Sequence, residues 1–128
     1  MIDHVSYAVS NFKNSRAFYD AALKPLGYTV QMEFGLHTGY GTKGKPFFWI
    51  DGAGDPKEHV GKVRGFHLAF QAPDRASVDA FYNAAIAAGG HDNGKPGLRP
   101  DYHPNYYGAF VIDPDGYRIE AVCHRPQP

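Results

Sequence analysis

Two histidines carry the first chemical signal in this chain, because His4 and His67 open runs that repeat each other. His4 is followed by Val-Ser-Tyr-Ala-Val and then by Ala17-Phe18-Tyr19-Asp20-Ala21-Ala22-Leu23. His67 is followed by Leu-Ala-Phe-Gln-Ala and then by Ala80-Phe81-Tyr82-Asn83-Ala84-Ala85-Ile86. The offset of 63 is the same for the histidines, for Ala17 and Ala80, and for Gly27 and Gly90, so no gap interrupts the repeat. A duplicated unit with a histidine at the same point of each copy brings two imidazoles together across a pseudo-twofold axis. Near the C-terminus Glu120 alternates with Ile119, Ala121 and Cys123, so in a strand it points away from that apolar set. Two imidazoles and one carboxylate on three strands form a facial ligand set for a divalent cation, with other positions left open to water or substrate. Such a set suits catalysis better than structural metal binding.

A second concentration of reactive groups runs from Gly97 to Tyr107. Arg99 is suited to pair with a carboxylate or phosphate, and His103, Tyr102 and Tyr107 to donate or transfer protons. Ser6 and Gln71 share strand faces with the histidines, and Phe48 and Trp49 are expected to wall the pocket on its apolar side. His37, His59, His91 and His124 are expected at the surface, and Cys123 as a small buried apolar residue.

These groups need elements to hold them. Ile2 to Val9 alternates, with Val5, Tyr7 and Val9 on one face and His4, Ser6 and Ala8 on the other, which predicts a strand. Ser10 or Asn11 caps a helix carrying Phe12, Phe18, Tyr19, Ala22, Leu23 and Leu26, stopped by Pro25 and Gly27. Strands are predicted over Tyr28 to Phe34, near His37 to Thr42, and over Pro46 to Ile50, the last two joined by Lys43-Gly44-Lys45. After a water-exposed linker the pattern returns: a strand with Phe66, Leu68 and Phe70 on its apolar face, then a helix capped by Asp74 with a stripe of Val78, Phe81, Ala85 and Ile86. Gly89-Gly90 ends that helix. Residues 91 to 104 are expected as a long loop after or around a short strand. Tyr106 to Ile112 and Tyr117 to His124 close the chain as strands around the turn Asp113-Pro114-Asp115-Gly116. The reading is an α+β protein of two paired β-α-β-β-β modules, one domain over 1–128, with module 1 at 1–52, a linker at 53–63 and module 2 at 64–126.

Composition narrows the function. With 128 residues the chain is one domain that buries about two-thirds of its unfolded surface. Thirteen basic and thirteen acidic residues balance, and no basic run is long enough for a nucleic-acid footprint. No segment approaches the roughly 18 apolar residues of a membrane span, and one cysteine cannot form an internal disulfide, so the expected place is the cytoplasm. Open sheet edges and a cleft predict a homodimer, with each site completed either by the two modules of one chain or by modules of different chains.

The repeated modules, the histidine of each first strand, the Asp113-Pro114-Asp115-Gly116 turn and the glutamate of Tyr117-Arg118-Ile119-Glu120 resemble the vicinal oxygen chelate superfamily. That superfamily contains glyoxalase I, extradiol dioxygenases, fosfomycin-modifying enzymes, methylmalonyl-CoA epimerase and bleomycin-resistance proteins. The resemblance implies metal ligands from the first and last strands of each module, filled here by His4, His67 and Glu120, with Zn, Ni, Fe(II) or Mn as the ion. The fourth place falls on Trp49, where glyoxalase I carries a glutamate that also moves a proton; an aromatic cannot serve as that base. The remaining set resembles that of extradiol dioxygenases and fosfomycin transferases. What the resemblance implies is isomerase, lyase, dioxygenase or transferase chemistry on a small oxygen-bearing substrate, with a metal-free binding protein of the bleomycin-resistance type as the alternative.

Overall fold

The computed structural model describes residues 1–58 and 60–127, so the expectation for His59 lies outside the described residues. Module 1 runs β1 (Val5–Ala8), α1 (Phe12–Leu23), β2 (Thr29–Phe34), β3 (His37–Thr42) and β4 (Lys45–Asp51). Module 2 runs β5 (Leu68–Gln71), α2 (Arg75–Ala87), β6 (His91–Leu98), β7 (Tyr107–Ile112) and β8 (Arg118–Cys123). The sheets are ordered β1-β4-β3-β2 and β5-β8-β7-β6. In each, the first strand lies parallel to the last and the other pairings are antiparallel. The chain is thus α+β, built from two β-α-β-β-β modules.

Local chemistry explains the element boundaries. Asn11 caps α1, its side-chain oxygen accepting from the Asn14 N–H at 3.0 Å, while Ser10 donates to the Asp115 carboxylate of the other module. After Leu23 the chain tightens into one 3-10 turn over Lys24–Leu26, which tolerates Pro25, and Gly27 closes it at φ 88°. Asp74 caps α2 by accepting from the Ser77 N–H at 2.8 Å. Lys43 and Gly44 both have positive φ, 52° and 80°, the conformation that a two-residue hairpin turn demands.

One core serves both modules. Tyr7, Phe48 and Ile50 of the first sheet, Phe70, Val111 and Ile119 of the second, and Phe18, Leu23, Val78 and Phe81 of the helices belong to the same buried cluster. Tyr7 stacks on Tyr117 at 4.0 Å and Phe48 meets Phe70 edge-on at 5.2 Å, so the modules touch through their helix-bearing faces. Each such large side chain contributes about 1.5–3 kcal/mol by leaving water. The opposite faces are turned out of this core: His4, Ser6 and Ala8 are exposed on one, His67, Ala69 and Gln71 on the other. Of the predicted α2 stripe, Val78, Phe81 and Ala85 are buried, whereas Ile86 is exposed.

A polar joint ties the modules. Asp113 is buried; its carboxylate accepts from the Tyr19 hydroxyl at 2.5 Å and from the N–H groups of Asp115 and Tyr117 at 2.9 and 2.8 Å. Burial pushes this carboxyl up to about 6, against the pull of those bonds. The Tyr117 hydroxyl donates to the Ala8 carbonyl at 2.7 Å.

The structure corrects two expectations. Where a long loop after or around a short strand was expected, residues 91–98 form an eight-residue strand, β6, at the sheet edge. Bulges around Gly94 interrupt its register, and Gly94 sits at φ 146°; an edge strand with bulges accommodates glycine and Pro96, which break a central one. The first strand is also shorter than predicted, beginning at Val5, so that both His4 and His67 stand one residue before their strands.

Candidate functional site

Strand register places the chemical groups. Across the open face of module 2, Ala69 pairs with Glu120 and Glu120 with Phe110, while across module 1 Ser6 pairs with Trp49 and Trp49 with Gly39. Ser6 and Ala69 are repeat equivalents, so the register makes Trp49 and Glu120 equivalent too.

Two of the three expected ligands meet. His67 Nε2 lies 3.2 Å from Glu120 Oε1, and Glu120 is 1% exposed. The other carboxylate oxygen, Oε2, accepts from the Tyr106 hydroxyl. Burial first, then this bond, raises the Tyr106 phenol well above its usual value, so it stays protonated and remains a donor. Gly108 makes room for the pair, since a Cβ there would stand 3.2 Å from both Glu120 Oε2 and the Tyr106 ring. Adjacent ligands of one cation, each at about 2.0–2.2 Å from it, stand roughly 2.8–3.5 Å apart; the His67–Glu120 spacing fits that test.

His4 does not join them within the chain. Its Nδ1 is 2.7 Å from Asp3, which also pairs with Lys45 at 2.8 Å. Among the described residues no group of three His, Cys, Asp or Glu side chains is arranged to hold a metal ion. His4 instead borders two cavities. One, of about 260 Å³, is lined by Ser6, Met32, Phe34, His37 and Trp49; the other, of about 330 Å³, has Gln71, Tyr28, Phe47 and Phe48 among its walls. Phe48 is otherwise a core residue, 1% exposed, whereas Trp49 faces outward.

The proton-transfer candidates divide. Tyr107 points to the helix side, where its hydroxyl donates to Asp79 at 2.7 Å; its neighbour Tyr106 takes the place beside Glu120. Tyr102 is exposed and sets its ring edge-on against Tyr106 at 4.8 Å. His103 Nδ1 accepts from the Asn105 N–H at 3.1 Å, which leaves its hydrogen on Nε2, 2.8 Å from His124 Nδ1. The two imidazoles stack at 5.1 Å, and both meet the Tyr106 ring edge-on. His124 is exposed, as expected, and shares the open face of module 2 with Glu120; His37, on the open face of module 1, is half-buried, stacked on Phe34 and 3.5 Å from Asp51. His91 is exposed at the start of β6.

Arg99 lies across the Phe110 ring, 5.3 Å from its centre, and donates to the carbonyls of Lys95 and Leu98 at 2.6 and 3.4 Å. Among the described residues it makes no ion pair with a carboxylate. One step from Glu120 on the same face, Arg118 lines a cavity of about 400 Å³ with Lys62 and Arg64. Sequence reasoning missed Tyr106, although counting back from the Asp113-Pro114-Asp115-Gly116 hairpin sets Phe110 opposite Glu120 and hence Tyr106 on the same face.

Comparison with known proteins bears on this arrangement. Residues 1–121 match the family model described as Glyoxalase/Bleomycin resistance protein/Dioxygenase superfamily. A glyoxalase/bleomycin resistance protein of Albidiferax ferrireducens is 31% identical, with a TM-score of 0.80, over 97% of this chain and 98% of that one. A putative glyoxalase of Bacillus halodurans is 28% identical, with a TM-score of 0.71, over 96% and 95% of the two chains. The Bacillus subtilis protein YqjT is 29% identical over 94% of this chain and 96% of its own. No helix among the described residues is long and apolar enough to cross a membrane.

Proposed function

We propose, for a chain that belongs to the Glyoxalase/Bleomycin resistance protein/Dioxygenase superfamily, a divalent-metal-dependent enzyme acting on a small oxygen-bearing substrate. The observation that carries this reading is the His67–Glu120 pair, 3.2 Å apart, with a buried carboxylate aimed at an exposed imidazole on an open sheet face. These two residues would hold Zn, Ni, Fe(II) or Mn, and His4 would supply the third ligand from a second copy of the chain, making the working unit a homodimer. Three protein donors leave positions for substrate oxygens, and a divalent cation supplies Lewis acidity there. Isomerase, lyase, dioxygenase and transferase chemistry all draw on that property.

The chain's own residues do the rest. Tyr106 fixes Glu120 through Oε2 and leaves Oε1 directed at His67. His103, its hydrogen held on Nε2 and handed toward His124, is the proton-transfer candidate at the rim, with Tyr102 beside it; Tyr106 takes the role expected of Tyr107. Arg99, held flat on Phe110 and, among the described residues, without a carboxylate partner, would receive an anionic substrate group. Ser6, Gln71 and Trp49 border the cavities next to His4. The cytoplasm is the proposed location, in keeping with one free, buried cysteine.

A second reading, a metal-free small-molecule binding protein of the bleomycin-resistance type, draws support from one observation. Trp49 stands where a second carboxylate would complete a four-ligand set. Calorimetric titration with Mn or Zn separates the two readings. Saturable binding that Glu120→Ala weakens by more than about a hundredfold, exceeding the loss typical of an outer-sphere partner, supports the enzyme. Equal binding by both proteins leaves the binding-protein reading.

A further inference from the structure

The open face of module 1 carries a group of aromatic side chains that the metal chemistry does not use. Ser6, Trp49, Gly39 and Met32 form one row across the sheet, and Asp51, His37 and Phe34 form the next. Phe34 is 57% exposed and Met32 48% exposed, although both stand on a sheet whose other face is buried. The Phe34 ring stacks on His37 at 4.9 Å with an interplanar angle of 26°, and is inclined by 59° to Trp49 at 5.8 Å. Two ring walls inclined to one another leave a corner of about 260 Å³, with His4 and Ser6 on its polar side. Gly39 shapes it, because a Cβ there would stand 2.8 Å from the indole and displace it from the sheet.

We infer that this corner is a binding subsite for a single planar aromatic ring bearing a polar substituent. The inference rests on the reading above only in that the open faces receive a small molecule. An apolar cavity of about 150 Å³ is enough to hold benzene, so the volume suits one ring with a short substituent. The walls match an aromatic guest: it stacks on one wall and meets the other edge-on, the two arrangements that ring quadrupoles favour. A substituent hydroxyl on the guest faces Ser6, which takes no part in the metal set. A saturated ring of the same size gains the same burial but not the ring–ring term of about 0.5–1.5 kcal/mol, which is a preference of about two- to twelvefold for the aromatic ring.

Trp49 is the chain's one tryptophan, so selectively excited emission reports on this corner alone. The test compares benzyl alcohol with cyclohexylmethanol, which share a hydroxymethyl group and differ in the ring. Each is titrated into the full chain, with and without a chelator. The expected result is a saturable blue shift of Trp49 emission, with half-saturation several-fold lower for benzyl alcohol and unchanged by chelation or by Glu120→Ala. Phe34→Leu, which keeps apolar bulk but removes one of the two rings, should narrow the difference between the two alcohols; Phe34 is exposed enough for the variant to fold. Equal half-saturation for the two alcohols overturns the aromatic assignment. So does emission that responds to protein concentration but to neither alcohol, which assigns the face to a second copy of the chain. Because the readout persists without metal, its failure is distinct from failure of the metal reading.

Discussion

The open faces of the two modules share a backbone and differ in what they present. Strand by strand, Ser6, Trp49, Gly39 and Met32 cross the first sheet where Ala69, Glu120, Phe110 and Gly94 cross the second. One row centres on an indole, the other on a buried carboxylate held by Tyr106 and His67. The core-facing positions diverge much less: Tyr7 and Phe70, Phe18 and Phe81, and Ala22 and Ala85 are all buried. Burial constrains a side chain through volume and polarity at once, whereas a position facing out of the core is held only by what it binds. The frame is thus kept in both modules while the faces differ, one presenting a buried carboxylate and the other an indole.

The sharpest way to break this comparison is at the joint that holds the modules together. Asp113 has a carboxyl raised to about 6 from 3.8. Between those values the folded protein binds this proton and the unfolded chain does not, so stability falls as pH rises from about 4 to about 6, by roughly 3 kcal/mol. Asp113→Asn should remove that fall. Urea unfolding of both proteins across this range checks it, since the lowered carboxyls of Asp74 and Asp92 act in the opposite sense and cancel in the difference. Parallel curves would mean that the joint titrates normally.

Gly39→Ala tests whether module 1 depends on the indole lying against its sheet. The added methyl meets Trp49 and Pro46 at 2.8 Å, and overpacking of this kind costs about 1–3 kcal/mol. Lower stability with a red-shifted Trp49 emission is expected; unchanged emission would mean that the glycine does not set the ring's place.

A smaller effect separates the two tyrosines of module 2. Tyr106→Phe removes the donor on Glu120 and should weaken divalent binding about tenfold, as loss of an outer partner does. Tyr107→Phe, whose hydroxyl serves Asp79 instead, should leave affinity unchanged while lowering stability by about 1 kcal/mol. Equal effects on affinity would erase the distinction.

Much of the frame was legible in the sequence. Strand parity separated Tyr7 from His4 and Phe70 from His67, and matching the turn residues Gly44-Lys45 with Asp115-Gly116 aligned Trp49 with Glu120 before any register was known. The edge strand β6 was hidden because Gly94, Pro96 and Gly97 signal turns, and only pairing with β7 outweighs them. Tyr106 was hidden by its neighbour Tyr107: adjacent strand residues face opposite ways, and choosing between them requires the hairpin register. Least legible was the relation of His4 to the His67–Glu120 pair. Parity sets which residues share a face, but not how the faces of two modules stand to each other.

That relation is the central claim, and mixing two disabled proteins tests it most directly. His4→Ala and Glu120→Ala should each lose tight divalent binding alone. If a site takes His4 from one chain and His67 with Glu120 from the other, a mixed dimer contains one site with all three ligands intact and one with neither His4 nor Glu120. Calorimetry with Mn or Zn after co-refolding the two variants should then recover tight binding at one ion per mixed dimer. No recovery in a mixture shown to contain mixed dimers would contradict a shared site, and with it the proposal that the two faces work together.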